Sequence, residues 1–146
     1  LTVDYYMEHW TVTSVTPRIE QVESLDEGTV QALRDRDIRY LTQLEGWKAE
    51  AHWEALRKNL SPQQYADLRR LTALYLHQGI GVDYGNWLVR AGIGSLEVLG
   101  ATSTEAVLAQ LRASAAAEPL PTPARVRVWI RRVPSRWESR PWEVWG

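Results

Sequence analysis

The 146-residue chain contains no cysteine. This absence excludes disulfide bonds, thiolate metal sites and a cysteine nucleophile, and it favours a reducing soluble compartment such as the cytoplasm or an organelle matrix. Apolar runs of the roughly 18–20 residues that span a bilayer are also missing. The first residues lack the basic start and apolar core of a signal peptide, so we expect none, while the origin of Leu1 as a processed N-terminus stays open.

Motifs of common enzyme classes are missing as well. The sequence has neither the Gly-x-Ser-x-Gly turn of a serine nucleophile nor a Gly-x4-Gly-Lys phosphate loop. Its three histidines, His9, His52 and His77, have no cysteine partner and no His-x-x-x-His spacing, so we predict no metal site. We therefore predict that the protein is not an enzyme and that it has no catalytic residues and no cofactor.

The net charge of −1 is unevenly distributed along the chain. Residues 1–123 carry 11 Lys and Arg against 16 Asp and Glu, whereas residues 124–146 carry six Arg against two Glu. A protein that binds duplex nucleic acid through its phosphates normally presents a basic face. The acidic body therefore argues against nonspecific nucleic-acid binding, and the C-terminal segment is the basic part of the chain.

An internal duplication with a period of 55 residues organises the middle of the chain. Apolar residues repeat at that spacing in six pairs: Leu25 with Ile80, Leu33 with Leu88, Ile38 with Ile93, Leu41 with Leu96, Leu44 with Leu99 and Leu56 with Leu111. Within each half, apolar residues recur every three or four positions, which indicates amphipathic helices. Because a repeat fixes the architecture before any local assignment, we predict a mainly α fold built from two similar units.

Local signals predict where the helices lie. Short helices are expected over 26–36 and around residue 41, and an amphipathic helix is expected over 47–60 with one face formed by Ala49, Trp53, Leu56 and Leu60. Ser61, Pro62 and Gln64 form the strongest start signal, a capping box with proline at the first helical position. This helix should run to about His77, and the next should open at residue 81.

The turn Gly79-Ile80-Gly81 separates two of these helices. Two glycines allow a sharp turn and bring backbone N–H groups to an exposed helix N-terminus, where a phosphate oxygen can bind. The apolar residue between them is expected to point inward as an anchor. The candidate phosphate-binding residues are Gln78, Gly79, Ile80, Gly81 and Arg90.

The string GIGVDYGNWLVRAGI, from Gly79 to Ile93, resembles the helix-hairpin-helix family. Its second Gly-Ile pair, at residues 92 and 93, is followed by Ser95-Leu96 and Leu99. Together with the 55-residue duplication, this pattern resembles the DUF4332 family of tandem helix-hairpin-helix proteins over residues 18–113. The resemblance implies an all-α body with paired hairpins, and it implies no particular reaction.

The first unit departs from the family's pattern. Ser24-Leu25-Asp26 stands where Gly79-Ile80-Gly81 stands in the second unit, and Asp37 replaces the second unit's glycine at position 92. The carboxylates of Glu23, Asp26 and Glu27 would repel a phosphate placed at this turn. We therefore interpret the first hairpin as a packing element.

Segments of different composition flank the predicted body. Residues 1–17 are predicted to form an extended arm because β-branched and aromatic residues are frequent there. Residues 114–124 are predicted to be an Ala/Pro linker held extended by its prolines. Apolar residues at 126, 128 and 130 alternate with Arg127, Trp129 and Arg131, which predicts a short strand over 126–130 that is able to pair with the arm.

Residues 125–146 are the strongest indication of a partner, because four of the eight tryptophans lie in the last 18 residues. Tryptophan and arginine are the residue types most enriched at interface hot spots, and so short a segment cannot build its own core. Either it folds back over the body or it docks on another molecule, and both alternatives stay open. The candidate protein-partner contacts are Trp129, Arg131, Arg132, Arg136, Trp137, Trp142 and Trp145.

Two hypotheses about function follow from these patterns. The leading one is a non-enzymatic protein–protein interaction module, an accessory or structural subunit that docks into a larger assembly. The alternative is a nucleic-acid-binding protein that holds the phosphate backbone with the Gly-Ile-Gly hairpin, helped by Arg90 and the C-terminal arginines. The sequence does not identify the partner, the assembly or the oligomeric state.

Overall fold

The computed structural model describes residues 17–114 and 119–134, and this part of the chain forms seven α-helices. They are α1 Glu27–Asp35, α2 Glu50–Asn59, α3 Pro62–Tyr75, α4 Gly81–Arg90, α5 Leu96–Gly100, α6 Thr104–Ala113 and α7 Pro123–Arg131. Three short 3-10 helices complete it, namely Ile19–Gln21, Leu41–Leu44 and Trp47–Ala49. The predicted mainly α fold class is confirmed. Over residues 17–114 and 119–134, β pairing is limited to one isolated bridge between Arg18 and Tyr40.

Several predictions fall on other parts of the chain. The extended arm, apart from its last residue, lies outside the described residues, and so do the candidate contacts Arg136, Trp137, Trp142 and Trp145. Among the helices that are described, none combines the length and apolar character needed to cross a membrane.

Helix starts follow the local signals in the sequence. At α3, the Gln64 N–H donates to the Ser61 hydroxyl at 3.1 Å, and the Ser61 N–H donates to Gln64 Oε1 at 2.9 Å, with Pro62 as the first helical residue. The predicted start is thus confirmed, and the helix ends at Tyr75, two residues before the predicted His77. Side-chain oxygens also cap the N-termini of α1, α5, α6 and α7, supplied by Asp26, Ser95, Ser103 and Thr122.

The strand predicted over 126–130 is wrong, because these residues lie within helix α7. The Thr122 hydroxyl accepts a hydrogen bond from the Arg125 N–H at 3.2 Å, and Pro123 occupies the first helical position. Val126 and Trp129 are buried, and Ile130 and Val133 pack beside them, which is a helical spacing of three and four residues. The period-2 pattern was real, but the same apolar residues also form a helical stripe. The last two residues of the predicted linker, Pro123 and Ala124, belong to α7, and its residues 115–118 lie outside the described part of the chain.

One apolar core connects the helices. Helix α3 packs against α2, α4 and α5, α1 packs against α2, and α7 packs against α5 and α6. Two buried tryptophans anchor it: the Trp53 indole N–H donates to the Leu44 carbonyl at 3.0 Å, and the Trp87 N–H donates to the carbonyls of Leu111 and Ser114 at 3.0 and 2.7 Å. The expected core position of Trp53 is confirmed, and Trp87, whose exposure the sequence left open, is 3% exposed.

A glycine and an asparagine bring α3 and α4 together. A Cβ atom at Gly85 would lie 2.6 Å from Cδ2 of Tyr75, so the two helices approach too closely at this point for any side chain. The neighbouring Asn86 is 6% exposed, and its amide N–H donates to the Gln21 carbonyl at 2.8 Å. Its Oδ1 accepts hydrogen bonds from the Glu23 N–H at 3.1 Å and from the Tyr75 hydroxyl. Asn86 therefore ties α4 to α3 and to the segment before α1.

Candidate interaction surfaces

The Gly-Ile-Gly turn has the backbone conformation that the glycines suggest. Gly79 and Gly81 have φ values of 74° and 69°, a region that favours glycine. The Ile80 N–H donates to the His77 carbonyl at 2.9 Å, and the Ile80 side chain is 2% exposed. Ile80 is thus an inward-pointing anchor, as expected.

The candidate phosphate-binding residues do not assemble into one site. Gln78 and Gly79 are exposed, whereas Ile80 and Gly81 are buried. Arg90 lies at the opposite end of α4, nine residues and therefore about 13 Å along the helix axis from Gly81. Its guanidinium pairs with Glu23, with Nε 2.9 Å from Oε2. Arg90 thus neutralises a carboxylate of the first unit and does not contribute charge to the turn.

Helix α7 lies against this turn. The Trp129 carbonyl accepts a hydrogen bond from His77 Nε2 at 2.8 Å, and an Arg132 guanidinium N–H donates to the Gln78 side-chain oxygen at 3.3 Å. The Trp129 ring meets the Tyr84 ring edge-on, with centroids 5.2 Å apart. Trp129 is only 1% exposed, which corrects its assignment as a partner contact. For residues 123–133, the fold-back alternative applies.

The outward side of α7 is strongly basic. Arg125, Arg127, Arg131 and Arg132 are all exposed, and residues 119–134 include no Asp or Glu. We call these four residues the arginine face. Arg127 and Arg131 are four residues apart and project from the same side of the helix. Arg125 lies beside α4, with its guanidinium carbon 5.7 Å from the Tyr84 ring centroid. Within the described ranges none of the four forms an ion pair.

The arginines near α1 differ from the arginine face, because two of them lie close to carboxylates. Arg34 lies 3.5 Å from Glu20, and Arg39 lies 3.5 Å from Asp37. These residues line a shallow surface depression together with Arg18, Gln21 and Tyr40. Because two carboxylates lie among its three arginines, this depression should attract an anion less strongly than the arginine face does.

Trp47 is a surface residue that is absent from the predicted contact residues. Its side chain is 79% exposed, while Trp53 and Trp87 are buried. A signal was present, since the predicted apolar face of the 47–60 helix comprised Ala49, Trp53, Leu56 and Leu60 and did not include Trp47. A large exposed aromatic side chain that is omitted from the apolar stripe of its helix is a candidate contact residue.

Groups of three or more His, Asp or Glu side chains placed to hold a metal ion do not occur within 17–114 and 119–134. Comparison of the chain with protein-family models finds no matching model, and comparisons with curated proteins and with solved structures find no match either. The likeness to tandem helix-hairpin-helix proteins therefore rests on the residues of this chain.

Proposed function

We propose that this protein is a non-enzymatic docking module that binds an acidic surface of a protein partner through the arginine face of α7. The observation that carries the proposal is the presence of four exposed arginines, three on helix α7 and one at its C-terminal cap, in a stretch that has no carboxylate of its own. Arg127 and Arg131 repel each other at a spacing of four residues, which disfavours an isolated helix. A partner's carboxylates would relieve this repulsion and form paired hydrogen bonds with the guanidinium groups.

The predicted partner contacts also include residues beyond α7. Arg131 and Arg132 belong to the arginine face, whereas Arg136, Trp137, Trp142 and Trp145 lie outside the described residues and are kept in the proposal as predicted contacts. Arginine and tryptophan supply most of the binding energy at many interfaces. The body then serves as a rigid support that presents the helix, and the lack of cysteine supports a reducing compartment.

Charge reversal on the arginine face tests this proposal. The double variant Arg127→Glu and Arg131→Glu, attached as bait, is compared with the intact chain in capture of proteins from a native extract. The matched control reverses Arg57 and Lys58, which are exposed on α2 and carry the same charge. At low salt, we expect the arginine-face variant to capture at least tenfold less partner than the intact chain, and we expect the control to capture as much as the intact chain. The reason is that attraction between opposite charges requires the arginine face. An identical set of proteins on all three baits would refute the proposal.

We also propose that the body consists of two helix-hairpin-helix units related by the 55-residue duplication. Asp37 and Gly92 occupy equivalent positions, and both have positive φ, 59° and 92°. The turn hydrogen bonds are also equivalent: the Ile38 N–H donates to the Leu33 carbonyl at 2.9 Å, and the Ile93 N–H donates to the Leu88 carbonyl at 2.8 Å. Positive φ is uncommon for a residue other than glycine, so its presence at Asp37, where the second unit has a glycine, supports a common origin for the two units.

Nucleic-acid binding is the second candidate, and one contact favours it. Arg132 lies 3.3 Å from the side chain of Gln78, so α7 supplies the turn with a cation that is distant in sequence. The test is binding of a duplex as a function of salt concentration, with Gln78→Glu against the control Gln110→Glu on α6. Phosphate binding at the turn predicts a steep salt dependence and loss of affinity in the first variant alone. Equal affinities for the two variants, or capture in the extract assay that resists nuclease, would contradict this candidate.

A further inference from the structure

The backbone holds Trp47 in an outward position. Gly46, with φ 81°, precedes the 3-10 helix Trp47–Ala49, and the Ala49 N–H donates to the Gly46 carbonyl at 3.2 Å. Ala49 is 1% exposed and fixes this turn to the core, and α2 begins at the next residue. Because the buried Ala49 and the start of α2 fix the end of this turn, Trp47 is presented to a partner with little loss of backbone freedom on binding.

Exposed charged residues flank Trp47 in the sequence. Glu45, Lys48 and Glu50 are exposed, and the Lys48 ammonium lies 5.7 Å from the ring centroid. Neither of the two glutamates forms an ion pair with another residue in the described ranges. We refer to residues 45–50 as the Trp47 turn. It combines one large aromatic face with two carboxylates and one ammonium group.

The arginine face of α7 has the complementary chemistry. Guanidinium groups stack on indole rings and form paired hydrogen bonds with carboxylates. The molecule already contains one contact between a guanidinium group and an indole ring, since the Arg69 guanidinium carbon lies 4.0 Å from the Trp53 ring centroid. The Trp47 turn packs on α2, whereas α7 packs on α5 and α6, so the two surfaces belong to different parts of the fold.

We propose that the Trp47 turn of one copy binds the arginine face of a second copy of this chain. An arginine at position 127 or 131 stacks on Trp47 while neighbouring arginines pair with Glu45 and Glu50. This inference rests on the proposed function, because it uses the same arginine face and names the partner as another copy. Because the contact joins two different surfaces, each copy in a pair keeps one unused surface. Further copies can therefore bind, and the assembly grows as the protein concentration rises.

Sedimentation velocity of the purified full chain at increasing concentrations and low salt tests the inference. The wild-type chain is expected to associate, and Trp47→Ala is expected to raise the dissociation constant roughly 30-fold or more, as for loss of a hot-spot side chain. Because Trp47 is exposed, this variant should retain its helical content, which circular dichroism measures. The Arg127→Glu and Arg131→Glu double variant should fail to associate, and the Arg57 and Lys58 reversal should associate normally.

A mixture of the two defective variants gives the sharpest result. Trp47→Ala keeps its arginine face, and the Arg127 and Arg131 reversal keeps its Trp47 turn. Each is monomeric alone, and together they should form one-to-one dimers that do not grow further. A mixture that stays monomeric, or a Trp47→Ala variant that associates like the wild type, would overturn the inference. A purified wild-type chain that stays monomeric, while charge reversal still abolishes capture from the extract, would refute the self-association and leave the proposed function standing.

Discussion

Replacing Asn86 with alanine is expected to lower the free energy of unfolding by about 2–4 kcal/mol. The side chain makes three hydrogen bonds at a buried position, with the Gln21 carbonyl, the Glu23 N–H and the Tyr75 hydroxyl. Each net contribution is about 1 kcal/mol, and partners left unsatisfied in a buried site add desolvation costs of about 1–3 kcal/mol each. Gln21 and Glu23 are exposed residues, so water can replace part of their lost hydrogen bonding. This partial replacement keeps the expected loss of unfolding free energy within about 2–4 kcal/mol.

Urea denaturation of the full chain measures this loss of unfolding free energy. The dependence of the free energy on urea concentration should be the same in the variant as in the wild type, which checks two-state behaviour. Hydrogen exchange adds a local readout, because the Glu23 amide should lose protection in the variant. The matched control is Asn59→Ala, whose side chain donates to the Ala55 carbonyl at 2.9 Å on an exposed surface. A loss below about 1 kcal/mol for Asn86→Ala, or no difference from the control, would refute the role assigned to this link.

Three further predictions concern packing and titration. Gly85→Ala should lower the free energy of unfolding by about 1–2 kcal/mol, because the new methyl group collides with the Tyr75 ring and this outweighs the better helix propensity of alanine. The matched control is Gly28→Ala, whose methyl group comes closest to the end of the Gln64 side chain. Trp129→Ala should cost about 3–5 kcal/mol of unfolding free energy in denaturant titrations, and a surface role would predict almost none. Burial raises the pKa of Tyr75, so the folded state keeps its proton above pH 10, where the unfolded chain loses it. Stability should therefore decline as pH rises above about 10, by up to roughly 1.4 kcal/mol per pH unit, and Tyr75→Phe should flatten this decline.

Much of the helical architecture is determined by short-range information in the sequence. The Ser61, Pro62 and Gln64 cap is complete within four residues, so the start of α3 could be predicted without any distant contact. The burial of Trp53 likewise follows from apolar spacing of three to four residues, and the inward direction of Ile80 follows from its place between the two glycines of the turn. The mainly α fold class results from the sum of such local signals.

Helix α7 shows where local information is ambiguous. Its apolar residues satisfy both a period of 2, which predicts a strand, and a spacing of three to four residues, which predicts a helix. The structure selects the helix because Val126 and Trp129 fit the apolar surface formed by α5 and α6, and because the His77 side chain satisfies the Trp129 carbonyl. The partner that decides the assignment is 52 residues away in sequence.

The interaction surfaces depend on tertiary structure in the same way. Trp129 and Trp47 are the same residue type, yet Trp129 fills the core and Trp47 projects into solvent. The difference arises because the packing of the helices determines which side of each turn is covered. Arg132 reaches Gln78 across 54 residues of sequence, while Arg90, only nine residues from Gly81, lies at the far end of its helix. The sequence by itself therefore determined the mainly α class, the capped start of α3 and the buried apolar stripe that includes Ala49, Trp53 and Leu56, since these depend on neighbours within about one turn. Tertiary packing alone decided which polar and aromatic side chains meet, since such contacts depend on how whole helices lie against each other.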